Sequence, residues 1–166
     1  MSNEREPEPH PDLGGLMCLI GRWTGEGRGN AAGAPPFVYR EELSFVPVAD
    51  RPVLAWSQRT FSVEGRPLHA EVGYLRPIDS ERAELVLAQP TGVVEVDEGP
   101  VRIEGPDRFE LILASRAVAV TSTAREVTAI ERVLSREGDV LRTRLAMAAV
   151  GHGLAHHLES ELRRTT

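Results

Sequence analysis

Short blocks of alternating apolar and polar residues, separated by turn residues, are the feature of this sequence that most limits its fold. About ten such blocks follow one another from Trp23 onward, at a spacing of roughly 8–12 residues. Gly65, Gly99 and Gly138 lie between blocks, where a tight hairpin needs a residue that tolerates positive φ. A period of two places successive side chains on opposite faces of a strand. The pattern therefore predicts an all-β fold.

The short connections between these blocks favour an up-and-down meander over a Greek key. A meander of about ten strands most simply closes on itself, because closure removes the exposed strand edges. We therefore expect a roughly ten-stranded antiparallel up-and-down β-barrel with little helix. A barrel of more than about eight strands has room for a ligand inside. The sequence thus predicts a cavity before it predicts a chemistry.

The N-terminal residues 1–12 are charged and proline-rich and have no apolar stretch. This composition predicts a flexible tail rather than a signal peptide or a membrane anchor. The remaining residues, 13–166, are expected to form one domain. That domain would begin with a short helical turn, before a glycine-rich segment that a helix would not tolerate.

The C-terminal block is ambiguous between helix and strand. Leu154, Leu158 and Leu162 follow one another at intervals of four residues, which is a helical spacing. A closed barrel nevertheless needs a last strand to pair with the first. We therefore favour a closing strand here.

Composition excludes several classes of function. The single cysteine, Cys18, rules out an internal disulfide framework and a cysteine-rich zinc site. The excess of 25 Asp and Glu over 19 Lys and Arg, a net charge of −6, argues against nucleic acid as a partner. No run approaches the roughly 18 apolar residues that a membrane-spanning helix needs. A reduced protein in the cytoplasm, with neither nucleic acid nor a membrane as a partner, is the expectation.

His69 is the first candidate for a functional residue. It lies opposite what we interpret as the apolar face of its block, so it is expected to face solvent. The alternative is a polar group that points into a ligand cavity. That apolar face consists of Leu68, Ala70, Val72 and Tyr74.

Two further candidates share faces with leucines. Gln89 aligns with Leu85 and Leu87, which makes it either an exception at an edge or a buried amide that needs hydrogen-bond partners. Met147 aligns with Leu141 and Leu145 and is interpreted as core filler. Neither residue indicates a chemistry by itself.

His152, His156 and His157 form the densest titratable group in the sequence. His156 and His157 are adjacent, so in a strand they point to opposite faces and do not easily chelate one metal. His152 and His156 have no glutamate between them in an HExxH arrangement, and glycines flank His152. A two-histidine zinc site is therefore not expected. One histidine as the axial ligand of a porphyrin iron stays open.

Several motifs, taken in order along the chain, resemble the nitrobindin family of haem-binding β-barrels. The first matches the family's GxWxGxG signature with Gly21, Trp23, Gly25 and Gly27. Alone this signature is weak, but the ordered set covers nearly the whole chain, from about Leu16 to Arg164. The other matching segments are 37–42, 67–74, 87–95, 123–127 and the stretch from Met147 to Leu158.

The resemblance implies a fold and a set of site residues. The fold is similar to that of fatty-acid-binding proteins and lipocalins, with the ligand at one mouth of the barrel. The family's axial ligand is a histidine directly before a leucine, ten residues after a methionine. Here that pattern selects His157 as the iron ligand and not His156. By the same matching, the residues expected to bind the cofactor with it are His69, Gln89, Arg125 and Met147.

The resemblance also implies an activity. One non-covalent haem b per chain would isomerise peroxynitrite to nitrate in its ferric form, with His157 as the catalytic iron ligand, and bind nitric oxide in its ferrous form. Relatives suggest a homodimer. The alternative is a non-enzymatic carrier of haem, nitric oxide or a lipophilic acid. A sensor that passes haem status to a partner is a third possibility.

The chain departs from the family pattern at two places. The family usually has Tyr-Pro-Thr, with a threonine that contacts the haem, where this chain has Ala31-Ala32-Gly33. The usual lysine of a later motif is Arg125, which keeps the charge and could reach a haem propionate. We therefore expect haem affinity or pocket solvation to differ from the family norm.

Overall fold

A computed structural model describes residues 7–30 and 35–165, and within them the chain forms a closed ten-stranded barrel. Each strand pairs antiparallel with its neighbour in the chain, and β1 pairs with β10 to complete the closure. This confirms the predicted up-and-down β-barrel. The Ala31-Ala32-Gly33 departure lies outside the described residues. The elements are a 3₁₀ helix at Pro11–Leu19 and the strands β1 Gly21–Gly29, β2 Phe37–Pro47, β3 Leu54–Phe61, β4 Pro67–Pro77, β5 Arg82–Ala88, β6 Val93–Glu104, β7 Arg108–Val120, β8 Val127–Glu137, β9 Val140–Ala149 and β10 Ala155–Thr165.

The 3₁₀ helix packs its leucines into one end of the barrel. Leu13, Leu16 and Leu19 are buried and belong to the hydrophobic core. Trp23 of β1 is fully buried beside them, and its indole Nε1 donates a hydrogen bond of 2.8 Å to the carbonyl oxygen of Leu19. The helix begins at Pro11, inside the segment 1–12 that was expected to be a tail. The boundary between tail and domain stays a prediction.

The core fills one half of the barrel only. It is built mainly from inward-facing leucines of β2 to β5 and of β7 to β10, together with the edge-to-face pair of Phe45 and Trp56, whose ring centroids lie 5.0 Å apart. Further along the same strands, polar side chains such as those of Thr60, Glu71 and Glu95 join the apolar ones at inward positions. The barrel interior therefore consists of an apolar half and a half that holds a cavity.

Two glycines of the GxWxGxG signature allow close approach of backbone and side chains around β1. A Cβ on Gly25 would overlap the carbonyl oxygen of Glu161 on β10. A Cβ on Gly27 would overlap the ring of Tyr39 on β2. The signature therefore has a structural reason: its glycines let β1 pack closely against β10 and β2, the two strands with which it pairs.

The expected orientation of β4 is wrong. Val72 and Tyr74 were placed on the apolar, inward side, but they are 58% and 57% exposed. His69 and Glu71 occupy the inward side instead, and Glu71 is buried. Because the inward positions of this strand at the cavity are polar, its apolar residues mark the outer face.

The C-terminal block is the closing strand β10. It pairs with β1 from Leu158 to Thr165 and with β9 on its other edge. The register shifts between His156 and Leu158, which places a β-bulge at His157. The helical spacing of its leucines did not decide the structure, because pairing on two edges satisfies the backbone of the whole segment. Within residues 7–30 and 35–165, no helix is both long and apolar enough to cross a membrane.

Candidate functional site

A cavity of about 740 Å³ occupies the half of the barrel that the leucine core leaves open. Such a volume lies within the range of small-molecule and cofactor sites. Its wall is mostly apolar, with a few polar side chains among the hydrophobic ones. The apolar side chains include Phe37, Val93, Val127, Ile130, Leu145, Met147 and Leu158, and the polar ones include Gln58, Thr60, His69, Glu71 and Gln89.

His157 lies on the wall of this cavity, at the β-bulge of β10. Its Nδ1 lies 2.7 Å from the backbone carbonyl oxygen of Asn30. A carbonyl only accepts, so Nδ1 carries the proton and Nε2 keeps a free lone pair. An imidazole whose second nitrogen is held by an oxygen acceptor is the usual arrangement of a histidine that binds a metal.

The two neighbouring histidines lie elsewhere. His156 is exposed, and its Nε2 lies 3.8 Å from a carboxylate oxygen of Glu159. His152 is exposed in the turn between β9 and β10. Neither lines the cavity, and the described residues contain no group of three or more histidine, cysteine or acidic side chains suited to a metal ion. The structure therefore separates one histidine from the cluster.

The polar candidates His69 and Gln89 both line the cavity. The expectation that His69 faces solvent is wrong, and the alternative of a polar group directed into a cavity is the one observed. Its Nε2 lies 3.3 Å from Glu71 Oε1. The amide of Gln89 donates to Glu71 at 3.3 Å and to Glu95 at 3.0 Å. Gln89 is thus an inward-facing amide with partners.

Met147 and Arg125 are also part of the cavity wall. Met147 contributes to the ligand space rather than to the leucine core, so its interpretation as core filler is wrong. Arg125 follows β7 in an exposed loop and borders the same cavity. The structure therefore brings His157, His69, Gln89, Met147 and Arg125 to one cavity, while their contacts with a cofactor stay predictions.

A buried ionic cluster below the cavity was missed in the sequence. Arg132 of β8 donates to Glu71 at 2.8 and 3.0 Å and to Glu95 at 2.6 and 3.3 Å. Asp97 lies 3.7 Å from the same guanidinium, and all four side chains are almost fully buried. The available signal was a charged residue, Arg132, at an inward position of an alternating strand.

The environment of this cluster divides its carboxyl groups into two kinds. Burial opposes ionisation of Glu71, but Arg132 and the hydrogen bond from His69 hold its pKa down at about 2. Burial, with the Glu95 carboxylate beside it, raises the pKa of Asp97 to about 8. Glu71 is therefore a permanent acceptor, whereas Asp97 carries a proton at neutral pH.

Comparison with known proteins places this cavity in a family. A family model described as the THAP4-like, heme-binding beta-barrel domain matches residues 12–164. The chain belongs to this family. The heme-binding barrel is similar to peroxynitrite isomerase 2 of Mycobacterium marinum, with 44% identity over 93% of this chain and 96% of the relative.

Two more comparisons agree with this membership. The peroxynitrite isomerase of Nocardia farcinica is 43% identical over 99% of each chain. The crystal structure of Rv2717c from M. tuberculosis superposes on this heme-binding barrel with a TM-score of 0.91. That structure is 40% identical and covers 96% of this chain and 100% of its own.

The residues of the cavity fit a haem. His157 offers one unprotonated nitrogen, and its ring is held from behind by the Asn30 carbonyl. An apolar wall of this extent suits the porphyrin faces, and Arg125 at its border suits a propionate. The sequence has no CxxCH motif for covalent attachment.

Proposed function

We propose that this haem-binding barrel is a peroxynitrite isomerase, which converts peroxynitrite to nitrate at a haem held by His157. The observation that supports this proposal most directly is the geometry of His157. Its Nδ1 is fixed by the Asn30 carbonyl, so Nε2 is left for iron. Near-full-length similarity to proteins named peroxynitrite isomerase supports the reaction. When bound, the haem supplies a Lewis-acidic iron that polarises the oxidant.

The chain's own contribution is to bind, orient and shield. The carbonyl of Asn30 fixes the tautomer of His157 and raises the basicity of its other nitrogen. The mostly apolar wall lowers the local dielectric around the reacting species, which strengthens electrostatic interactions inside. Arg125 brings a positive charge to the border of a cavity in an acidic protein, where it attracts a propionate or an anionic substrate.

We further propose one non-covalent haem b per chain, which in the ferrous form also binds nitric oxide. The only cysteine, Cys18, lies in the 3₁₀ helix, which packs into the leucine half of the barrel. On the cavity wall, His157 combines a ring anchored by the Asn30 carbonyl with an unpartnered second nitrogen. The predictions that the protein works in the cytoplasm and binds neither nucleic acid nor a membrane stay predictions.

Two measurements test this function. Titration of the purified protein with hemin should give a Soret band that saturates at one equivalent. The ferric, loaded protein should then accelerate peroxynitrite decay to nitrate relative to the haem-free protein. A saturable Soret band without any acceleration would leave a haem carrier and reject the isomerase.

A carrier of lipophilic acids finds no support in the interior. A barrel that holds a fatty acid needs a free cation inside for the carboxylate. The interior Arg132 already bonds to Glu71 and Glu95, and Asp97 lies beside it. Arg125 is the arginine among the described residues that line the cavity, and it is exposed at the border rather than inside.

We also propose that the homodimer forms through the outer face of β4 to β6. Tyr74 is paired with Val86 across these strands, and Val72 and Val94 flank the same Ala88. The side chains of Val72, Tyr74, Val86 and Val94 are 42–58% exposed and largely apolar, as is typical of an association surface. Sedimentation velocity should show a dimer that Tyr74→Asp converts to a monomer, and a wild-type monomer would reject this interface.

A further inference from the structure

His69 and Gln89 direct N–H groups toward buried carboxylates. Nε2 of His69 lies 3.3 Å from Glu71 Oε1. The amide nitrogen of Gln89 lies 3.3 Å from the same oxygen and 3.0 Å from an oxygen of Glu95. Both amide protons of Gln89 therefore have carboxylate acceptors. Arg132 bonds to both carboxylates from the other side.

This arrangement fixes which atoms remain for a ligand. An ionised carboxylate accepts only, so the contact with Glu71 places the proton of a neutral His69 on Nε2 and leaves Nδ1 as an acceptor. Oε1 of Gln89 accepts one hydrogen bond of 3.1 Å from Thr91 and has a second lone pair. The ion pair with Arg132 keeps Glu71 ionised, so the orientation persists over the physiological pH range.

Gln58 of β3 repeats the pattern on another part of the wall. Its amide nitrogen donates 2.8 Å to Oε1 of Glu41, which is buried. Oε1 of Gln58 takes no part in that bond, and Gln58 lines the cavity. Three polar side chains of the wall, those of His69, Gln89 and Gln58, thus have an N–H group directed by a buried acid.

We propose that these buried acids act as positioning residues that make the inner wall of the cavity a hydrogen-bond acceptor surface. We call this the acceptor wall, defined by Nδ1 of His69 and Oε1 of Gln89. It selects neutral ligands that carry an O–H or N–H donor over the same ligands with the donor capped. An anion placed directly against this inner wall is disfavoured, because acceptors and carboxylates face it there, whereas Arg125 offers a positive charge at the border of the cavity.

This proposal stands apart from the isomerase activity. It concerns the cavity itself, and it is tested with the full-length chain freed of haem. The probes are 1-naphthol and 1-methoxynaphthalene, which share a ring system and differ in whether the oxygen carries a proton. One neutral hydrogen bond contributes about 0.5–1.5 kcal/mol, so we expect 1-naphthol to bind about 2- to 13-fold more tightly.

The variant that tests the positioning role is Glu71→Gln. Its side chain keeps the shape of glutamate but adds donors beside His69, so the ratio of the two dissociation constants should fall to about one. Glu42→Gln is the matched control. Glu42 lies on the outer face of β2 and pairs with exposed Arg59, so the same change is made away from the cavity. The control should keep the wild-type ratio. Glu95→Gln serves as a second variant if Glu71→Gln does not fold.

The tautomer of His69 gives an independent readout. Long-range ¹H–¹⁵N spectra at pH 8, where an ordinary imidazole is neutral, should show the Nε2–H tautomer in wild type and in Glu42→Gln. Glu71→Gln should lose this single tautomer while its backbone spectrum stays folded. Equal affinity of wild type for the two probes, or an Nδ1–H tautomer in wild type, would overturn the proposal.

Discussion

His156 and His157 are neighbours in the chain, yet only His157 lies on the cavity wall. Successive side chains of a strand point to opposite faces, and the β-bulge between His156 and Leu158 lets both His157 and Leu158 line the cavity. The pair therefore offers a variant and a control at adjacent positions.

We expect His157→Ala to lose the axial ligand, and with it the ferric haem spectrum of the wild type. Hemin titration should give a weak, shifted Soret band and at least a tenfold lower affinity, because one metal–imidazole bond is removed. His156→Ala should titrate like wild type, since its ring is exposed beside Glu159. An unchanged Soret band in His157→Ala would reject the assignment of the ligand.

Gly25→Ala should destabilise the barrel at the seam where β1 meets β10. The added Cβ overlaps the carbonyl oxygen of Glu161, so backbone must shift, at a cost of about 1–3 kcal/mol. Gly153→Ala is the control, because no heavy atom lies within 4 Å of its Cβ position. Urea unfolding followed by tryptophan fluorescence measures both, and equal midpoints would contradict the packing argument.

Arg132→Met should be among the most damaging single changes in the interior. It leaves Glu71 and Glu95 buried without their cation, and loss of one partner of a buried ion pair costs about 3–5 kcal/mol. Arg102→Met removes an exposed partner of Glu110 and should change stability by about 0–1 kcal/mol. The comparison is made by urea denaturation. A similar loss of stability in both variants would show that the buried cluster contributes no more than an exposed ion pair.

Asp97 should make the protein less stable as the pH rises. Burial and the nearby Glu95 raise the pKa of folded Asp97 to about 8 from an ordinary 3.8, so the folded state binds more protons between these values. The contribution of Asp97 to the free energy of unfolding therefore falls as pH rises through this interval. Glu71, with its pKa held at about 2, acts in the opposite direction and only below about pH 4.5.

The variant that isolates this effect is Asp97→Asn. Melting temperatures measured from pH 5 to 9 should decline less steeply in Asp97→Asn than in wild type, with the difference largest near pH 9. Asp107→Asn, at an exposed position, should follow the wild-type curve. Parallel curves for Asp97→Asn and wild type would show that Asp97 does not hold its proton in the folded state.

The barrel itself could be predicted because its signal is local. Alternation and turn glycines recur along the chain, and each hairpin forms between neighbouring segments. The face of β4 could not be predicted in this way. Val72 and Tyr74 satisfy the apolar pattern, but the inward side at this level is polar, so the pattern marks the outside.

The polar interior was hidden for a different reason. Glu41 is a charged residue at a buried position of β2, and Arg132 is one at a buried position of β8. Their partners, however, lie far away in sequence: Arg132 bonds to Glu71 across 61 residues and to Glu95 across 37. No local pattern indicates which distant acid will meet a buried arginine.

By itself the sequence determined that this chain forms an all-β barrel with a cavity, and its motifs pointed to haem and to His157. Only the tertiary structure decided that His69 faces inward, that Asn30 orients His157, and that buried acids orient the cavity wall. The physical reason is that strand patterns depend on neighbours in the chain. Ion pairs and hydrogen bonds across a closed barrel depend on which strands closure brings together.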